Sequence, residues 1–278
     1  MQTGLKRDTI DKYYTKPSVV AMCIQAIQQY VQIGANDVVM EPSAGNGAFI
    51  EGIKEISPKH IFYDLAPEHR DIIKKDYLTF NPRYLVDHFS NIHVIGNPPF
   101  GRQSSMSKKF IKKSCEYCHS ISFILPKSFK KDSMKKAFAL SFHLLYEADL
   151  PINSFSIDGK EHDVPCIFQI WKRKDYDREK IVNYKPLYFS FVKKEEIPDL
   201  SIRRVGVYAG KIDYGENIYD KNIQTHYFIK LNENINVKME MIDALNNISY
   251  EKNNTVGPRS ICKQEIIMNL NEIIYQFV

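Results

Sequence analysis

The chain has 278 residues, of which 44% are hydrophobic and 26% are charged, and this composition excludes a disordered or fibrous protein. Its formal charge of +5 permits a polyanionic partner without requiring one. No apolar run reaches the roughly 18 residues that cross a membrane, and residues 1–9 are polar, so we expect a cytoplasmic protein with no membrane partner.

Apolar strand-like runs alternate with amphipathic helix-like stretches between residues 16 and 171, which predicts an α/β fold with a mainly parallel sheet and helices on both faces. The first helix is predicted at residues 17–31, because Pro17 suits a first helical turn and apolar residues then recur at three-to-four spacing. Strands are predicted at residues 37–40, 60–63, 93–96, 120–125, 144–150 and 164–171.

The charged run at residues 172–180 has no hydrophobic periodicity and is predicted to be a surface linker. It separates a first domain, residues 1–174, from a smaller C-terminal region of mixed α and β structure, residues 175–278. Strand-like runs in that region lie at residues 187–192, 205–208 and 226–229, and a final helix is predicted at residues 263–277.

The first strand leads into a turn that contains Gly45 and Gly47. Glycines at such a turn let the backbone approach a nucleotide-like cofactor closely. Ile50 stands where a dinucleotide fingerprint has its third glycine, and Glu41 places a carboxylate beside the turn. A carboxylate repels a pyrophosphate and attracts a sulfonium or ammonium group, so the loop favours S-adenosylmethionine as the cofactor.

Asp64 follows the second predicted strand. A carboxylate at this point can accept hydrogen bonds from both ribose hydroxyls of an adenosine. The alternative is a helix cap.

Asn97-Pro98-Pro99-Phe100 ends the third strand, because two consecutive prolines remove ladder donors and leave a stiff loop. The Asn97 side-chain carbonyl and the Pro98 backbone carbonyl can together accept both N–H bonds of an aromatic amine and free its lone pair. Phe100 could stack on the base. A purely structural Pro-Pro turn with a buried Phe is the alternative.

Five motifs stand in the order of a known family, and through them the chain resembles the amino-methyltransferases, most closely the gamma-class, Taq-type DNA adenine-N6 methyltransferases. The matching positions are Tyr14-Thr15-Lys16-Pro17, Glu41 to Gly47, Asp64, Asp76-Tyr77 and Asn97 to Phe100. The resemblance implies a Rossmann-like class I methyltransferase sheet for the first domain and a target-recognition or accessory role for the C-terminal region.

The resemblance also implies the roles of site residues. Asp76 would contact the cofactor adenine, and Thr15 and Pro17 would close over its methionine end. The complete implied cofactor site is Thr15, Pro17, Glu41, Pro42, Ser43, Gly45, Gly47, Asp64, Asp76, Tyr77 and Asn97, and the catalytic residues are Asn97, Pro98, Pro99 and Phe100. Two positions depart from the pattern: Lys16 interrupts the usual Thr-Pro pair, and Phe100 replaces the Tyr that is commoner in DNA enzymes and occurs in RNA adenine methyltransferases.

Residues 101–136 contain ten Lys or Arg and only two acidic residues, directly after the tetrapeptide. This density predicts contacts to nucleic-acid phosphates, although a solvated helix face is the alternative. The candidates are Arg102, Lys108, Lys109, Lys112, Lys113 and Lys127. Phe155, in a later polar loop, is either a second aromatic that sandwiches an extruded base or a core residue.

The sequence thus predicts transfer of a methyl group from S-adenosylmethionine to adenine N6 in a nucleic acid, with DNA as the favoured partner and RNA as the alternative. A protein-glutamine methyltransferase and a non-catalytic nucleic-acid-binding relative are the rival functions. Cys115-x-x-Cys118 lacks a second ligand pair at short spacing, so no metal is expected. The sequence indicates neither a restriction partner nor an oligomeric state.

Overall fold

The computed structural model describes residues 13–157, 159–180, 182–250 and 259–278. The chain forms two compact units, Met1–Lys180 and Ile181–Val278. No helix within the described ranges is long and apolar enough to span a bilayer.

The first unit contains ten strands and five α-helices among its described residues. The strands are β1 (Tyr14–Thr15), β2 (Val38–Glu41), β3 (His60–Asp64), β4 (Ile73–Lys74), β5 (Ile92–Gly96), β6 (Ser120–Pro126), β7 (Phe142–Asp149), β8 (Phe155–Ile157), β9 (Lys160–His162) and β10 (Cys166–Arg173). The helices are α1 (Pro17–Tyr30), α2 (Ile50–Ile56), α3 (Arg83–His88), α4 (Ser105–Tyr117) and α5 (Asp132–Lys135), and single 3₁₀ turns lie at Tyr77–Thr79, Arg102–Ser104 and Lys127–Lys130.

Seven of these strands form the main sheet, in the order β4-β3-β2-β5-β6-β10-β7. The first five are parallel, and β10 runs antiparallel to both β6 and β7. The parallel strands have the spatial order of a Rossmann sheet. Strands β3 and β4 are added on one side of β2, and β5 and β6 are added on its other side, so the strand order switches between β2 and β5. The predicted fold class, an α/β fold with a mainly parallel, Rossmann-like sheet, is confirmed.

Alternate residues of each central strand pack on opposite faces of this sheet. Val39 and Ile95 belong to one core cluster together with buried residues of α1 and α2. Val38 and Val94 belong to a second cluster with α3 and α4. Since both faces are covered, the central strands are apolar along their whole length, as parallel sheets require.

A small antiparallel sheet, β1-β8-β9, carries the start of the described chain. Thr15 pairs with Phe155, and the next backbone N–H, that of Lys16, donates to the Ser154 carbonyl over 3.1 Å. The Lys16 ammonium also forms an ion pair with Glu161 of β9. These contacts fix residues 14–16 in one position within the first unit.

The predicted linker is packed on the first unit. The Arg178 guanidinium donates to the carbonyls of Lys135, Phe138 and Phe142 over 3.0–3.1 Å. The first two residues of the predicted linker, Lys172 and Arg173, are the end of β10, so the linker prediction is wrong for them. The boundary between the two compact units falls between Lys180 and Ile181.

The second unit has a four-stranded antiparallel sheet covered by two helices. Its strands are β11 (Phe189–Val192), β12 (Leu200–Arg203), β13 (Ile212–Tyr214) and β14 (His226–Leu231), in the order β11-β14-β12-β13. Helices α6 (Met239–Asn246) and α7 (Lys263–Tyr275) contribute Met241, Leu245, Ile266 and Leu270 to a separate core, and 3₁₀ turns lie at Lys194–Glu196 and Gly215–Ile218.

One strand prediction in this unit is wrong. Val205 forms a single bridge with Ser260, and the chain then turns at residues 206–210, with Gly206 at φ +92° and Val207 and Tyr208 exposed. A positive φ at Gly206 is incompatible with a continuing strand.

Candidate active site at the carboxyl ends of the parallel strands

A cavity of about 260 Å³ opens where β2, β3 and β5 end. This edge of a doubly wound sheet, next to the reversal of strand order, is the usual ligand position in such folds. The cavity is lined by Tyr13, Tyr14, Pro42, Ser43, Gly45, Asp64, Leu65, Ala66, Lys75, Asp76, Tyr77, Leu78, Asn97, Pro98, Pro99, Phe100, Met106 and Phe110.

The glycine turn has the backbone geometry that the sequence predicts. Gly45 and Gly47 have φ of +54° and +87°. A Cβ at Gly47 would lie 2.7 Å from the Ile50 side chain, so this glycine allows close packing of α2, whereas Gly45 lines the cavity. The positive φ angles at both positions explain why glycine occupies them.

Asp64 holds the glycine turn in place. One carboxylate oxygen accepts the backbone N–H of Gly45 over 2.8 Å, and the other accepts that of Ala66 over 2.8 Å. Each carboxylate oxygen can accept a further hydrogen bond. The side chain therefore has a structural task in the turn and retains acceptor capacity toward the cavity that it lines.

Glu41 is buried beneath the cavity with an unsatisfied oxygen. Its side chain is 2% exposed, and no donor among the described residues contacts Oε2. Gly96 makes room for it, because a Cβ at that position would lie 3.0 Å from the Glu41 Cγ. Burial, and secondly the Asp64 carboxylate, raise the pKa of Glu41 well above its ordinary value.

Asp76 and Tyr77 line the side of the cavity beyond Asp64. One Asp76 oxygen accepts the Leu78 N–H over 2.9 Å and so caps a 3₁₀ turn. The Tyr77 ring is 1% exposed, and its hydroxyl makes hydrogen bonds of 2.7 Å with those of Ser114 and Tyr117. The Tyr77 ring thus forms part of the cavity wall, and its hydroxyl is directed away from the cavity toward Ser114 and Tyr117.

The Asn97 amide has a defined orientation. Its Nδ2 donates to the Tyr13 carbonyl and to Thr15 Oγ1, each over 3.3 Å. A backbone carbonyl only accepts hydrogen bonds, so it must face the NH₂ end of the amide. Oδ1 consequently lies on the other side, buried and with no donor among the described residues.

The rest of the tetrapeptide is held by the start of α4. The Pro99 carbonyl accepts the Ser107 hydroxyl over 3.3 Å, and the Phe100 carbonyl accepts the Met106 N–H over 3.1 Å. No donor from the described parts of the chain reaches the Pro98 carbonyl. Two acceptors, Asn97 Oδ1 and the Pro98 carbonyl, therefore have no donor among the described residues, and both belong to residues that line the cavity.

Several predicted site residues do not line the cavity. Thr15 is buried behind Asn97, and Pro17 is an exposed first residue of α1. Glu41 is buried, and Gly47 packs against Ile50 and His69. Phe155 is fully buried in the core. Its burial favours the core alternative for Phe155, because a ring with no exposed surface cannot stack on a base in this arrangement.

Sequence reasoning placed Tyr14 in a motif without giving it a role, and it missed these lining residues: Tyr13, Leu65, Ala66, Lys75, Leu78, Met106 and Phe110. Tyr14 donates its hydroxyl to Glu68 over 2.7 Å and so spans the glycine turn. The available signal was the Tyr13-Tyr14 pair directly before Thr15. Leu65, Ala66 and Leu78 have apolar side chains with no recognisable functional pattern in the sequence, so only the structure shows that they line the cavity.

The basic tract divides into paired and unpaired cations. Lys113 contacts Glu116 at 2.9 Å, and Lys127 and Lys130 contact Asp149 at 3.3 and 2.9 Å. Four other cations of the tract have no carboxylate partner among the described residues: Arg102, Lys108, Lys109 and Lys112.

The last three of these lysines lie on α4, whose buried side carries Ser107, Phe110, Ile111 and Ser114. At 100° per residue they fall on the opposite side of the helix. Met106 and Phe110 of the same helix line the cavity. A row of uncompensated positive charge therefore begins beside the candidate active site.

The Cys115-x-x-Cys118 pair lies on the end of α4 and is buried or half-buried. Burial raises the pKa of Cys115 to about 11 and raises that of Cys118 as well. Within the described ranges, no group of three or more His, Cys, Asp or Glu residues is arranged to hold a metal ion.

A second polar cluster lies at the opposite, amino ends of the strands. His93 Nε2 lies 3.3 Å from Asp37 Oδ2, and His93 Nδ1 lies 2.7 Å from Ser120 Oγ. All three residues are at most 4% exposed. All three groups have hydrogen-bond partners, so this network stabilises the sheet, and the same residues line a cavity at the amino ends of the strands.

No known family model matches the chain. Protein ENHANCED DOWNY MILDEW 2 of Arabidopsis thaliana is 23% identical over 193 residues, which cover 62% of this chain and 14% of that protein. The chain therefore spans only a small part of this relative's length.

Similar solved structures include several methyltransferases. A candidate RNA methyltransferase from Pyrococcus horikoshii has a TM-score of 0.48 and 17% identity, covering 62% of this chain and 92% of its own. A candidate class I S-adenosylmethionine-dependent methyltransferase from Listeria monocytogenes has a TM-score of 0.46 and 15% identity, covering 64% and 65%. The methyltransferase subunit of a type I restriction-modification system from Streptococcus thermophilus has a TM-score of 0.44 and 15% identity, covering 60% and 46%. Because all three TM-scores lie below 0.5, the fold assignment depends on the strand order of the sheet.

Proposed function

We propose that this chain binds S-adenosylmethionine and transfers its methyl group to the exocyclic N6 amine of adenine in a nucleic acid, with DNA favoured over RNA, as a relative of the gamma-class, Taq-type enzymes. The observation that carries this proposal is a pair of acceptors, Asn97 Oδ1 and the Pro98 carbonyl, that have no donor among the described residues and belong to residues lining a cavity with aromatic side chains. An amine with two N–H bonds matches this pair.

The residues around the glycine turn fit the proposed cofactor. Glu41 has a buried oxygen that lacks a donor, and it suits the positive charge of a sulfonium or ammonium group. Asp64 retains acceptor capacity for ribose hydroxyls, and the buried Tyr77 would support the wall of the adenine pocket from behind. When bound, the cofactor supplies an electrophilic methyl group on sulfur.

The chain's own residues would act by orientation. Asn97 Oδ1 and the Pro98 carbonyl accept the two amine protons and favour the amine geometry in which the nitrogen lone pair leaves the ring plane. Asn97 and Pro98 would hold the amine while the bound cofactor supplies the methyl group, and the extra proton on nitrogen would be lost to water. No strong base is required, and the rate depends on placement of the amine in line with the methyl group.

The two units would divide the work. We propose that the first domain carries out catalysis and that the remaining residues contribute to target recognition. The sequence predicts that this domain comprises residues 1–174, and the first compact unit of the structure comprises residues 1–180. The unpaired cations Arg102, Lys108, Lys109 and Lys112 would bind phosphates on either side of the reacting base.

The decisive experiment uses S-adenosylmethionine labelled in its methyl group with DNA, RNA and protein pools, followed by nucleoside and amino-acid analysis. We expect label in N6-methyladenine. Label in glutamine, or no transfer to any pool, would overturn the proposal in favour of one of the rival functions.

A matched pair of variants then tests the acceptor. Asn97→Ala is expected to lower the single-turnover rate by about 10²–10³, the usual effect of removing one transition-state hydrogen-bonding group. Asn36→Ala, an exposed Asn at the opposite edge of the sheet, is the control. A folded Asn97→Ala protein within about threefold of wild type would contradict the acceptor mechanism.

A further inference from the structure

A turn in the second unit, residues 206–210, holds two apolar side chains in solvent. It follows β12, and Gly206 and Gly210 have φ of +92° and +103°. Val207 is 88% exposed, and Tyr208 is 66% exposed. Apolar side chains that cluster at the surface commonly mark a contact site.

Backbone hydrogen bonds hold this turn in place at its base. The Gly206 N–H donates to the Arg259 carbonyl over 2.9 Å, and the Gly210 N–H donates to the Arg203 carbonyl over 2.7 Å. Within the turn, the Ala209 N–H donates to the Gly206 carbonyl over 3.0 Å. The turn therefore presents its exposed side chains from an ordered backbone, which lowers the conformational entropy lost when a ligand binds.

Two surface cavities adjoin at the turn. The first has a volume of about 460 Å³, and its lining includes Arg203, Lys211 and Lys221. The second has a volume of about 440 Å³, and its lining includes Lys211 and Arg259. Tyr208 lines both cavities. The exposed aromatic ring thus lies next to basic side chains on two sides.

Basic charge exceeds acidic charge in the two cavities. Four basic and two acidic residues line them, a formal excess of two positive charges. Lys211 and Lys221 share one carboxylate, that of Asp213, at 3.5 and 3.2 Å. Arg203 and Arg259 have no carboxylate partner in the described part of the chain. The surface therefore favours an anionic ligand.

Arg203 lies beside the exposed ring. Its guanidinium carbon is 5.9 Å from the centroid of the Tyr208 ring, and its Nε donates to the Val205 carbonyl over 3.1 Å. No acceptor among the described residues uses its Nη atoms, so these N–H groups can bind an anion. A flat ring beside a guanidinium suits an unpaired base and its phosphate.

We propose that this turn and its two cavities bind single-stranded nucleic acid, with an unpaired base stacked on Tyr208 and neighbouring phosphates bound by Arg203 and Lys211. A base inside a duplex is covered on both faces by its neighbours, so an exposed ring selects unpaired nucleotides. The inference rests on the proposed function only in taking a nucleic acid as the partner. The base that stacks here is not the one that reacts, so binding at this surface needs no adenine.

The test measures the Kd of the full chain for oligo(dT) and oligo(U), which carry no exocyclic amine, and for a G·C hairpin. Fluorescence anisotropy is recorded without S-adenosylmethionine. Tyr208→Ala removes the ring, and Tyr208→Phe keeps it. Tyr219→Ala is the control, because Tyr219 is 59% exposed in the same unit and lines neither cavity. Melting temperatures check that each variant is folded.

We expect Tyr208→Ala to raise the Kd for both single strands by about 5- to 150-fold, the effect of losing one aromatic partner of a stacked base. Tyr208→Phe and Tyr219→Ala should leave this Kd unchanged, and Tyr208→Ala should leave the Kd for the hairpin unchanged.

A second pair of variants tests the phosphate contacts. Lys211→Gln should reduce the slope of log affinity against log salt for oligo(dT) by about 0.7, the value for one phosphate of a single strand. Lys238→Gln, at an exposed lysine that lines neither cavity, should leave the slope unchanged.

Several results would overturn the inference. They are a wild-type chain that binds neither single strand, equal Kd values for Tyr208→Ala and Tyr219→Ala, and an equal loss of affinity for the single strands and the hairpin.

Methylation of an adenine-containing strand is measured separately. If wild type binds oligo(dT) through Tyr208 but methylates no adenine, the proposed function fails and this inference stands. If wild type methylates adenine and Tyr208→Ala binds oligo(dT) as wild type does, this inference fails and the proposed function stands.

Discussion

Thr15 fixes the orientation of the proposed catalytic amide, because its hydroxyl accepts one of the two hydrogen bonds from Asn97 Nδ2. The family resemblance implied a place for Thr15 over the cofactor, whereas the structure puts it behind Asn97. Thr15→Val removes this acceptor and keeps a β-branched side chain in β1.

We expect Thr15→Val to reduce the single-turnover methylation rate by about 3- to 10-fold, the rate equivalent of one ordinary hydrogen bond, with little change in KM. Thr15→Ser keeps the hydroxyl and should restore most of the rate. An equal loss in both variants would show that the methyl group of Thr15, and not its hydroxyl, supports the site.

Glu41 gives cofactor binding a pH dependence. Burial and the Asp64 carboxylate raise the pKa of Glu41, so the free protein keeps this group protonated to a higher pH than the unfolded chain does. A bound cation favours the ionised form. The affinity for S-adenosylmethionine should therefore rise with pH, from the ordinary carboxyl range up through the raised pKa, and binding should release a proton.

Calorimetry in two buffers of different ionisation enthalpy measures that proton directly. Glu41→Gln should abolish both the release and the pH dependence. The same linkage predicts that Glu41 reduces the stability of the free protein as pH rises between its unfolded and folded pKa values, since the native state binds more protons there. A pH-independent affinity of the wild-type protein would contradict the proposed electrostatic attraction between Glu41 and a bound cation.

At the level of secondary-structure elements, the proposal that α4 contacts nucleic-acid phosphates can be tested directly. Lys108, Lys109 and Lys112 have no carboxylate partner among the described residues, whereas Lys113, Lys127 and Lys130 do. Changing the first three to Gln should reduce the slope of log affinity against log salt by about 2 to 3, if each contacts one phosphate.

The matched control changes the three paired lysines to Gln and should reduce that slope much less. Filter binding or fluorescence anisotropy with mixed-sequence DNA and RNA, from low to moderate salt, provides the measurement. Equal slopes for wild type and the first triple variant would identify this face of α4 as merely solvated.

The long elements could be predicted because burial leaves a strong periodic signal. The predicted strands at 60–63 and 120–125 correspond to His60–Asp64 and Ser120–Pro126, and the first helix and the last differ from prediction by a few residues at their ends. Elements of two or three residues, such as β1, β4, β8 and β9, are too short to show a period. Residues 205–208 look like a strand, but Gly206 turns the chain.

In the candidate site, the motif residues could be predicted and the spatial pairing could not. Gly45, Asp64 and the tetrapeptide reach one cavity because parallel strands end at one edge. The contact between the Asn97 amide and the Tyr13 carbonyl depends on how β1 pairs with β8, which is a long-range register that no local pattern encodes.

At the scale of the whole molecule, each unit has its own hydrophobic core. Residues 1–180 should therefore fold alone and bind S-adenosylmethionine within about threefold of the full chain, while nucleic-acid affinity falls if residues 181–278 recognise the target. Thermal melting, calorimetry and anisotropy on the fragment and the full chain test this. Equal nucleic-acid affinity in both would remove the recognition role from the second unit.

The buried network of Asp37, His93 and Ser120 makes the first unit sensitive to acid. Burial is the main cause that lowers the pKa of His93, and hydrogen bonds from Gly34, Asn91 and His93 outweigh burial and lower the pKa of Asp37. An unfolded chain would take up protons on His93 below about pH 6.5, and later on Asp37, more readily than the folded chain. Stability should thus decline as the pH falls from about 6.5, and His93→Gln should flatten the upper part of that decline in urea denaturation. The sheet would then loosen first at the amino ends of its strands, on the edge opposite the proposed chemistry.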